Sequence, residues 1–336
     1  MTAANLRVHP GEGAGCGKEA DGPVATSEPR RKRRGLVIAF RLGLATAVLV
    51  CLAAGLWYRH EMMAIRRARR AAVAGRIPFT PLNMPASTNP PPVKGWAVYE
   101  WKGGLYKTRT DTGETRKLAE NGRYPRWSPD GRFLAYWRGQ SLVQAHSNGS
   151  RAAVLVAEVG EPHGLAYHPD GREVYFVDGS TVKSVSLKDR TVRTRLEGCD
   201  FREIDLGPGQ RLVASIRGTP MHYLLAFDLE SGAKRRFGLQ GCSASLSPDG
   251  RFSIRNSWNH RGFYIDDWTT GDEVKFVPMP RSRLGDDQFW SNHPDWVVSV
   301  FEGAGNDIYV QRVADAKFWR VTFCHGCGRP DLFVIP

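Results

Sequence analysis

The sequence Arg126-Trp-Ser-Pro-Asp-Gly-Arg-Phe-Leu-Ala-Tyr-Trp137 decides the fold, because it joins a tight turn to two strand-like runs. Pro129 has the fixed φ of a type I turn, Asp130 can hydrogen-bond its own backbone, and Gly131 tolerates the positive φ that closes the loop. The flanking aromatic and branched residues are typical of β-strands. The stretch therefore predicts a β-hairpin, and turn formation explains Asp130 without a catalytic or calcium-binding role.

The same turn recurs along the chain at a nearly constant spacing. Ser247-Pro-Asp-Gly-Arg251 matches it residue for residue, His168-Pro-Asp-Gly-Arg172 differs at one position, and two weaker copies contain Pro208 and Pro294. Consecutive prolines of the five copies are 40, 39, 40 and 46 residues apart. A period of about 40–45 residues with several strands in each is typical of the four-stranded blades of a β-propeller.

The two ends of this region predict how the ring closes. Trp96–Trp101 and the two strand-like runs after it provide three strands of a blade whose first strand is missing. Residues 331–336 supply one strand with nothing after it, and Pro336 follows Pro294 by 42 residues, in step with the repeat. We therefore expect the C-terminal strand to complete the first blade, which removes the open edges and gives six blades.

The Trp-Ser-Pro-Asp-Gly-Arg motif followed by an aliphatic and aromatic strand resembles the repeat of TolB-like β-propellers. The resemblance covers residues 96–336 and is strongest at 127–132 and 247–251. It implies an all-β, six-bladed propeller of a kind found in bacterial envelope proteins and beside the hydrolase domain of prolyl-oligopeptidase-type enzymes. Because folds of this kind carry many unrelated functions, the resemblance implies an architecture and leaves the activity open.

The first 95 residues differ in composition from the repeat region. Residues 1–34 contain few large apolar side chains and are predicted to be disordered, with a basic block at Arg30–Arg34. The long uncharged run within residues 35–58 predicts one transmembrane helix, from Leu36 to Tyr58. A cleaved signal peptide is disfavoured because no small-residue cleavage site follows the run. Residues 59–95 are expected to form a basic juxtamembrane helix and a proline-rich linker.

The formal charge of +13 is concentrated around this apolar segment. Residues 1–95 carry a balance of +10, which leaves +3 for residues 96–336. Membrane orientation and lipid contact account for such an excess, and no nucleic-acid-binding motif accompanies it, so nucleic acid is not an expected partner. Basic residues on both sides of the run nearly cancel in the positive-inside rule. The block before the run is denser, which favours an N-terminus inside, and the resemblance to TolB-like propellers implies a bacterial envelope protein; together they predict a single-pass inner-membrane protein with a periplasmic propeller.

In a propeller, the connections from the outer strand of one blade to the inner strand of the next surround one mouth of the central channel. Channel and barrel mouths are common places for ligands to bind. The polar residues of these connections are therefore the predicted ligand-binding set: Arg123, His163, Arg202, Glu203, Asp286 and Asp287. Paired arginines such as Arg123 and Arg202 suit a carboxylate or phosphate group.

All four cysteines of the repeat region fall in the same connections. With a neighbouring histidine, the set is Cys199, Cys242, Cys324, His325 and Cys327. Three explanations remain open: disulfides that pair Cys199 with Cys242 and Cys324 with Cys327, a transition-metal site such as zinc, or free thiols. The distances between the thiols decide among them, and the sequence does not give those distances. No other cofactor is expected.

The sequence favours a non-enzymatic protein. It contains no Gly-x-Ser-x-Gly nucleophile motif, because Gly241-Cys-Ser-Ala-Ser245 lacks the final glycine. We therefore predict a membrane-anchored propeller of the bacterial cell envelope that binds a protein, a peptide or a carbohydrate, while membrane lipid contacts the anchor. The alternative is a channel-mouth enzyme, lyase-like or hydrolase-like, or a metal-binding protein that uses the cysteines and histidines of the rim.

Overall fold

A computed structural model describes residues 43–59, 90–218, 221–238, 240–279, 284–302 and 305–336. The chain divides into two units, Met1–His60 and Glu61–Pro336. In the first unit, residues 43–59 form one helix that is exposed along its whole length. Within the described residues, no helix is both long enough and apolar enough to cross a membrane. The predicted disordered segment 1–34, the start of the predicted transmembrane helix and most of 59–95 lie outside the described residues.

In the second unit, the described residues form six antiparallel sheets of four strands each, the blades of the propeller. Blade 1 contains β1 (Gly95–Trp101), β2 (Gly104–Arg109), β3 (Thr115–Glu120) and β24 (Gly328–Val334). Blade 2 contains β4 (Gly122–Trp127), β5 (Phe133–Arg138), β6 (Ser141–His146) and β7 (Ala153–Val156). Blade 3 contains β8 (Pro162–Tyr167), β9 (Glu173–Asp178), β10 (Thr181–Ser186) and β11 (Val192–Glu197).

The remaining strands follow the same order. Blade 4 contains β12 (Phe201–Gly207), β13 (Arg211–Ile216), β14 (Tyr223–Asp228) and β15 (Lys234–Phe237). Blade 5 contains β16 (Ser245–Leu246), β17 (Phe252–Asn256), β18 (Gly262–Asp267) and β19 (Glu273–Pro278). Blade 6 contains β20 (Leu284–Trp290), β21 (Trp296–Glu302), β22 (Asp307–Arg312) and β23 (Phe318–Arg320). The predicted all-β, six-bladed propeller is confirmed.

The C-terminal strand closes the ring, as predicted. β24 pairs antiparallel with β1, so that Leu332 lies opposite Ala97 and Gly328 lies opposite Glu100. The strand begins three residues before the predicted segment 331–336 because pairing with β1 extends back to Gly328. The last two residues of the predicted segment, Ile335 and Pro336, lie after the strand and are exposed. The first and last segments of the propeller therefore form one sheet.

The core consists of the layers between neighbouring blades. In β5, Leu134 and Tyr136 pack against blade 1, whereas Ala135 and Trp137 pack against blade 3. Successive side chains of a strand point to opposite faces, and both faces of a blade are covered by its neighbours. This double burial explains why the strands read as nearly continuous apolar runs, and each large apolar side chain buried in this way contributes about 1.5–3 kcal/mol.

The turn of the quoted stretch has the hydrogen bonds that its residue types predict. The Ser128 hydroxyl donates to Oδ1 of Asp130 at 2.6 Å, and the same oxygen accepts from the amide of Arg132 at 3.0 Å. The amide of Gly131 donates to the carbonyl of Ser128 at 2.9 Å. In the identical turn at residues 247–250, the equivalent distances are 2.6, 3.0 and 2.7 Å. These bonds confirm Asp130 as a turn residue.

Gly131 also connects this turn to the closing strand. Its φ is +68°, and a Cβ at this position would lie 2.4 Å from the ring of Phe333 in β24. Both the backbone conformation and the approach of the ring therefore require glycine. The turn motif and the closing strand are fitted to each other at this point.

Replacing Leu332 by alanine tests whether β24 holds the ring together. Leu332 is fully buried between blades 1 and 6, so Leu332→Ala should lower the free energy of unfolding by about 2–5 kcal/mol. Ile335→Ala is the matched control, because Ile335 is exposed just after the strand, and we expect a loss of about 0.5 kcal/mol or less. Urea unfolding followed by tryptophan fluorescence measures both. Equal losses for the two variants would contradict closure by β24.

Candidate functional site

A central channel runs along the axis of the propeller. The six strands that begin the blades, β4, β8, β12, β16, β20 and β24, contact one another in a closed ring. Five of them run from the connection with the preceding blade towards the turn that leads to the second strand of their own blade, and β24 runs from its connection with blade 6 towards residues 335–336 and pairs with β1. The channel therefore has two different ends. We name the end at the inter-blade connections the loop mouth, and the end at the Ser-Pro-Asp-Gly turns the turn mouth.

The loop mouth contains a polar cavity of about 370 Å³. All six blades contribute to its lining, which consists of Tyr124, His163, Arg202, Glu203, Ser215, His222, Cys242, His260, Asp286, Asp287 and Arg329. Five of the six residues predicted as the ligand-binding set are in this lining. The sixth, Arg123, is exposed beside Tyr124 and does not line the cavity.

One group in the cavity, the acid–arginine cluster, consists of Glu203, Asp287 and Arg329. The Arg329 guanidinium forms ion pairs with Glu203 and, at 2.7 Å, with Asp287, and its backbone amide donates to Asp287 at 3.1 Å. The guanidinium also lies over the ring of Tyr124, 4.6 Å from its centroid. The sequence did not single out Arg329 or Tyr124. Both lie just after the connections that the prediction considered, and the structure places the six predicted residues themselves in inner strands as well.

The acid–arginine cluster contains two carboxyl groups but only one cationic side chain. Burial raises the pKa of Asp287 to about 7; Arg329 opposes this rise, while Asp286 and Glu203 add to it. The Oε2 atom of Glu203 is buried and has no hydrogen-bond partner within the described residues. The cluster is therefore a site at which an additional cation would be stabilised.

Arg202 is engaged by its own neighbours. Its guanidinium donates to Nε2 of His163 at 2.5 Å and forms an ion pair with Asp200 at 2.8 Å. Burial lowers the pKa of His163, and the charge of Arg202 lowers it further, so the imidazole is neutral and accepts this bond. The predicted pairing of Arg202 with Arg123 around an anionic ligand has no counterpart in this arrangement, because Arg202 already faces Asp200.

A second group, the Cys–His–Asp cluster, occupies the side of the cavity between blades 5 and 6. Sγ of Cys242 lies 3.9 Å from Nε2 of His260 and 3.9 Å from Oδ1 of Asp286. Nδ1 of His260 lies 3.7 Å from the same carboxylate oxygen. The sequence predicted Cys242 and Asp286 but not His260, because His260 follows β17, outside the six connections that were considered.

The other rim cysteines lie apart from this cavity. Cys324 and Cys327 form a disulfide in the connection between β23 and β24, so that one of the two predicted pairings is observed. His325, between them, faces Asp307 at 3.5 Å. Cys199 and Cys242, whose pairing was one of the three explanations left open, are both free thiols. Cys199 packs against the apolar layer between blades 3 and 4, whereas Cys242 belongs to the Cys–His–Asp cluster.

The turn mouth has a different character. Its cavity of about 260 Å³ is lined by the ends of the inner strands and by four of the repeated prolines, Pro129, Pro169, Pro208 and Pro248. Two acids in the lining, Asp205 and Asp331, are buried, and burial raises the pKa of Asp331 to about 6 against the opposing charge of Arg126. Nε of Arg126 and Nε1 of Trp127 are buried without a partner within the described residues. The sequence analysis predicted ligand-binding residues only at the other mouth, so this cavity was not predicted.

Each buried acid of the turn mouth links two blades. Oδ2 of Asp331 accepts from the backbone amide of Trp127 at 2.7 Å, and Oδ2 of Asp205 accepts from the amide of Leu246 at 2.8 Å. These bonds join the inner strand of one blade to that of the next. They satisfy backbone donors that have no strand partner at the channel wall.

No family model and no curated protein sequence matches this chain. Among solved structures, TolB from Acinetobacter baumannii has a TM-score of 0.58 and 17% identity over 71% of this chain and 66% of that chain, just under two thirds of its length. A putative TolB from Agrobacterium tumefaciens has a TM-score of 0.58 and 15% identity, covering 73% of this chain and 99% of that one. A chain of a nidogen/laminin complex has a TM-score of 0.59 and 9% identity, covering 71% and 98%. At these identities the likeness shows the fold alone.

The raised pKa of Asp331 predicts a specific dependence of stability on pH. The folded protein binds this proton more tightly than the unfolded chain does, so the contribution of Asp331 is complete below about pH 4 and is lost as the pH rises through about 6. Asp331→Asn keeps an acceptor oxygen but cannot ionise. Its stability relative to the wild type should therefore increase by up to about 3 kcal/mol between pH 4 and pH 7.

Urea unfolding at a series of pH values measures this difference. Asp272→Asn, which changes an exposed acid in the β18–β19 turn, serves as the control and should show a nearly constant difference. A difference for Asp331→Asn that does not change with pH would refute a neutral Asp331 in the folded protein.

Proposed function

We propose that the propeller is a non-enzymatic binding module whose loop mouth receives a basic side chain of a polypeptide partner. The observation that carries the proposal is the composition of the acid–arginine cluster and its surroundings. Glu203, Asp286 and Asp287 lie in one cavity, and Arg329 is the cation that pairs with two of them. A partner's lysine or arginine supplies the charge that this cavity needs.

The depth of the carboxylates makes such a contact selective. The side chains of Glu203 and Asp287 are 9% and 12% exposed, so they are largely removed from water, while Asp286 is 30% exposed and is the first acid that an incoming group meets. Attraction between charges is stronger at a partly buried site than on an open surface. The graded exposure favours a long side chain that reaches into the mouth from a protein surface.

An anionic ligand is less well supported. Arg202 is occupied by His163 and Asp200, and Arg329 is occupied by Glu203 and Asp287. A carboxylate or phosphate would have to displace these internal partners. Excess negative charge in a cleft instead attracts cations and steers basic partners towards it.

The fold neighbours are consistent with a protein partner. One of them is a chain of a nidogen/laminin complex. The two TolB structures extend the same fold to bacterial proteins. These likenesses support a binding module and carry no information about which partner this chain takes.

We also propose that the module works in the bacterial cell envelope, anchored to the inner membrane through Leu36 to Tyr58 with its propeller on the periplasmic side. The apolar run and the basic residues on both sides of it support this placement. We expect the full chain to remain in carbonate-washed membranes and a variant lacking residues 36–58 to be released. Immunoblotting of the two fractions measures this, and release of the full chain would contradict the anchor.

A photo-crosslinking residue placed at Arg123 tests the partner proposal. Arg123 is exposed next to Tyr124 of the loop mouth, so the probe should capture a partner protein whose crosslinked segment contains lysine or arginine. The same probe at Arg172, an exposed arginine in a turn at the other end of the channel, should not capture it. Mass spectrometry of the adducts identifies both the protein and the segment.

Glu203→Gln then tests the role of charge. Removing one member of a buried charge pair costs about 2–5 kcal/mol, so the affinity for the captured partner should fall at least about tenfold. Glu114→Gln, at an exposed acid in the β2–β3 turn, should leave the affinity unchanged. Capture that is equal from positions 123 and 172, or binding that survives Glu203→Gln, would refute the proposal.

A further inference from the structure

The Cys–His–Asp cluster contains three different metal-ligating side chains in contact with one another. One ligand atom each from Cys242, His260 and Asp286 lies within 4.8 Å of the other two. The separations are 3.9 Å from sulfur to Nε2, 3.9 Å from sulfur to the carboxylate oxygen, and 3.7 Å from Nδ1 to that oxygen. The residues come from three separate segments of the chain, so this meeting is a product of the fold.

A zinc ion takes one nitrogen of an imidazole, so the relevant geometry is one ligand atom from each side chain, and these three atoms lie within 4.8 Å of one another. Zinc–sulfur, zinc–nitrogen and zinc–oxygen bonds of about 2.0–2.3 Å at tetrahedral angles place the ligand atoms about 3.3–3.6 Å apart. Side-chain rotations that shorten the longest separation by up to about 1.5 Å bring the three atoms to these distances. We infer that Cys242, His260 and Asp286 form a zinc site at the loop mouth.

Asn256 lies behind the cluster, and its side-chain nitrogen is close to all three ligands. Its side-chain nitrogen lies 3.0 Å from the carbonyl of Gly285, 3.2 Å from Asp286, 3.3 Å from Nδ1 of His260 and 3.7 Å from the sulfur of Cys242. An amide nitrogen carries two protons and cannot serve four acceptors. The acceptors that remain need either protons of their own or a positive ion.

The position of the cluster allows an ion to enter. The side chains of His260 and Asp286 are 19% and 30% exposed, and all three ligands line the loop-mouth cavity. Asn256, behind them, is fully buried. An ion held by the three ligands therefore has its fourth position directed to the cavity, where water or a group of a bound molecule completes the tetrahedron, as in zinc sites that keep one open position.

The ligand set suits zinc better than calcium or magnesium. Thiolate and imidazole are ligands of transition metals, whereas calcium and magnesium prefer oxygen atoms alone. Binding removes the proton of the Cys242 thiol, so that one thiolate and one carboxylate neutralise the two charges of the ion. The second group of potential ligands in the described residues, Asp307 with Cys324 and Cys327, has both sulfurs committed to a disulfide.

This inference goes beyond the proposed partner and does not depend on it. The two proposals share Asp286, but the metal is held by Asp286 together with Cys242 and His260, whereas the partner contact centres on Glu203, Asp287 and Arg329. The two can fail separately, because the zinc content of the purified protein is measured without any partner present. Equally, capture of a partner does not report on zinc.

The experiment measures zinc retained by the full-length protein. The purified chain is loaded with zinc sulfate without a reducing agent, dialysed without a chelator, and analysed by elemental mass spectrometry. We expect about one zinc per chain beyond the amount held by Cys242→Ser, His260→Gln and Asp286→Asn. The affinity lost in each variant should exceed the roughly 10- to 100-fold loss that follows removal of an outer hydrogen-bond partner of a metal ligand.

Two variants act as matched controls. Cys199→Ser removes the other free thiol of the propeller, and the double variant Cys324→Ser, Cys327→Ser removes the disulfide. Both should retain the zinc. Cobalt substitution adds a spectroscopic measurement: the wild type should show a thiolate-to-cobalt charge-transfer band that Cys242→Ser lacks. Thermal unfolding of each variant without metal establishes that it is folded.

The proposal is overturned if the wild type retains no more zinc than Cys242→Ser. It is also overturned if zinc is lost from Cys199→Ser or from the disulfide variant while Cys242→Ser retains it. Should Cys242→Ser fail to fold, the near-isosteric Asp286→Asn decides the outcome by the same two measurements.

Discussion

The pairing of β24 with β1 is the constraint on which the rest of the propeller depends. A propeller blade covers its apolar faces only if it has a neighbour on each side, and the ring supplies those neighbours only when it is closed. Here the two ends of the propeller share one sheet, and Leu332 is buried between blades 1 and 6. The same strand contributes Arg329 to the loop mouth, Asp331 to the turn mouth, and Phe333 to the turn at Gly131. The strand that closes the ring therefore also supplies residues to both ends of the channel.

The two ends of the channel differ because the inner strands end in different ways. At the turn mouth, the strands run into a repeated tight turn, and its prolines line the cavity together with aromatic residues, two acids and Arg126. The buried acids there bond to backbone amides of the next blade, so their role is to join blades. At the loop mouth, the charged residues of the lining lie at the beginnings of the inner strands, close to the connections between blades. Their side chains line one cavity.

Both proposals for the loop mouth arise from the same physical imbalance. The cavity is lined by carboxylates, a thiol and imidazoles, and only two arginines accompany them. Within the described residues, Oε2 of Glu203 has no hydrogen-bond partner. Buried acceptors without partners are costly, and a protein that retains them usually offers them to something else. The acid–arginine cluster provides negatively charged carboxylate oxygens but no thiol or imidazole, which suits a basic side chain. The Cys–His–Asp cluster provides a thiol and an imidazole as well as a carboxylate, which suits a transition metal.

The sequence by itself determined the all-β class, the number of blades and closure by the last strand. These follow from local turn chemistry and from a spacing that repeats, as at Pro129, Pro169 and Pro248. It also placed His163, Arg202, Glu203, Asp286 and Asp287 at one rim, because position within the repeat fixes the end of the channel. Only the tertiary structure decided which of these residues meet. Arg329 pairs with Glu203, 126 positions away along the chain, and His260 reaches Cys242 from a hairpin outside the repeat pattern. It likewise left Cys199 and Cys242 unpaired, because contacts between blades depend on the direction of each side chain, which a period in the sequence does not encode.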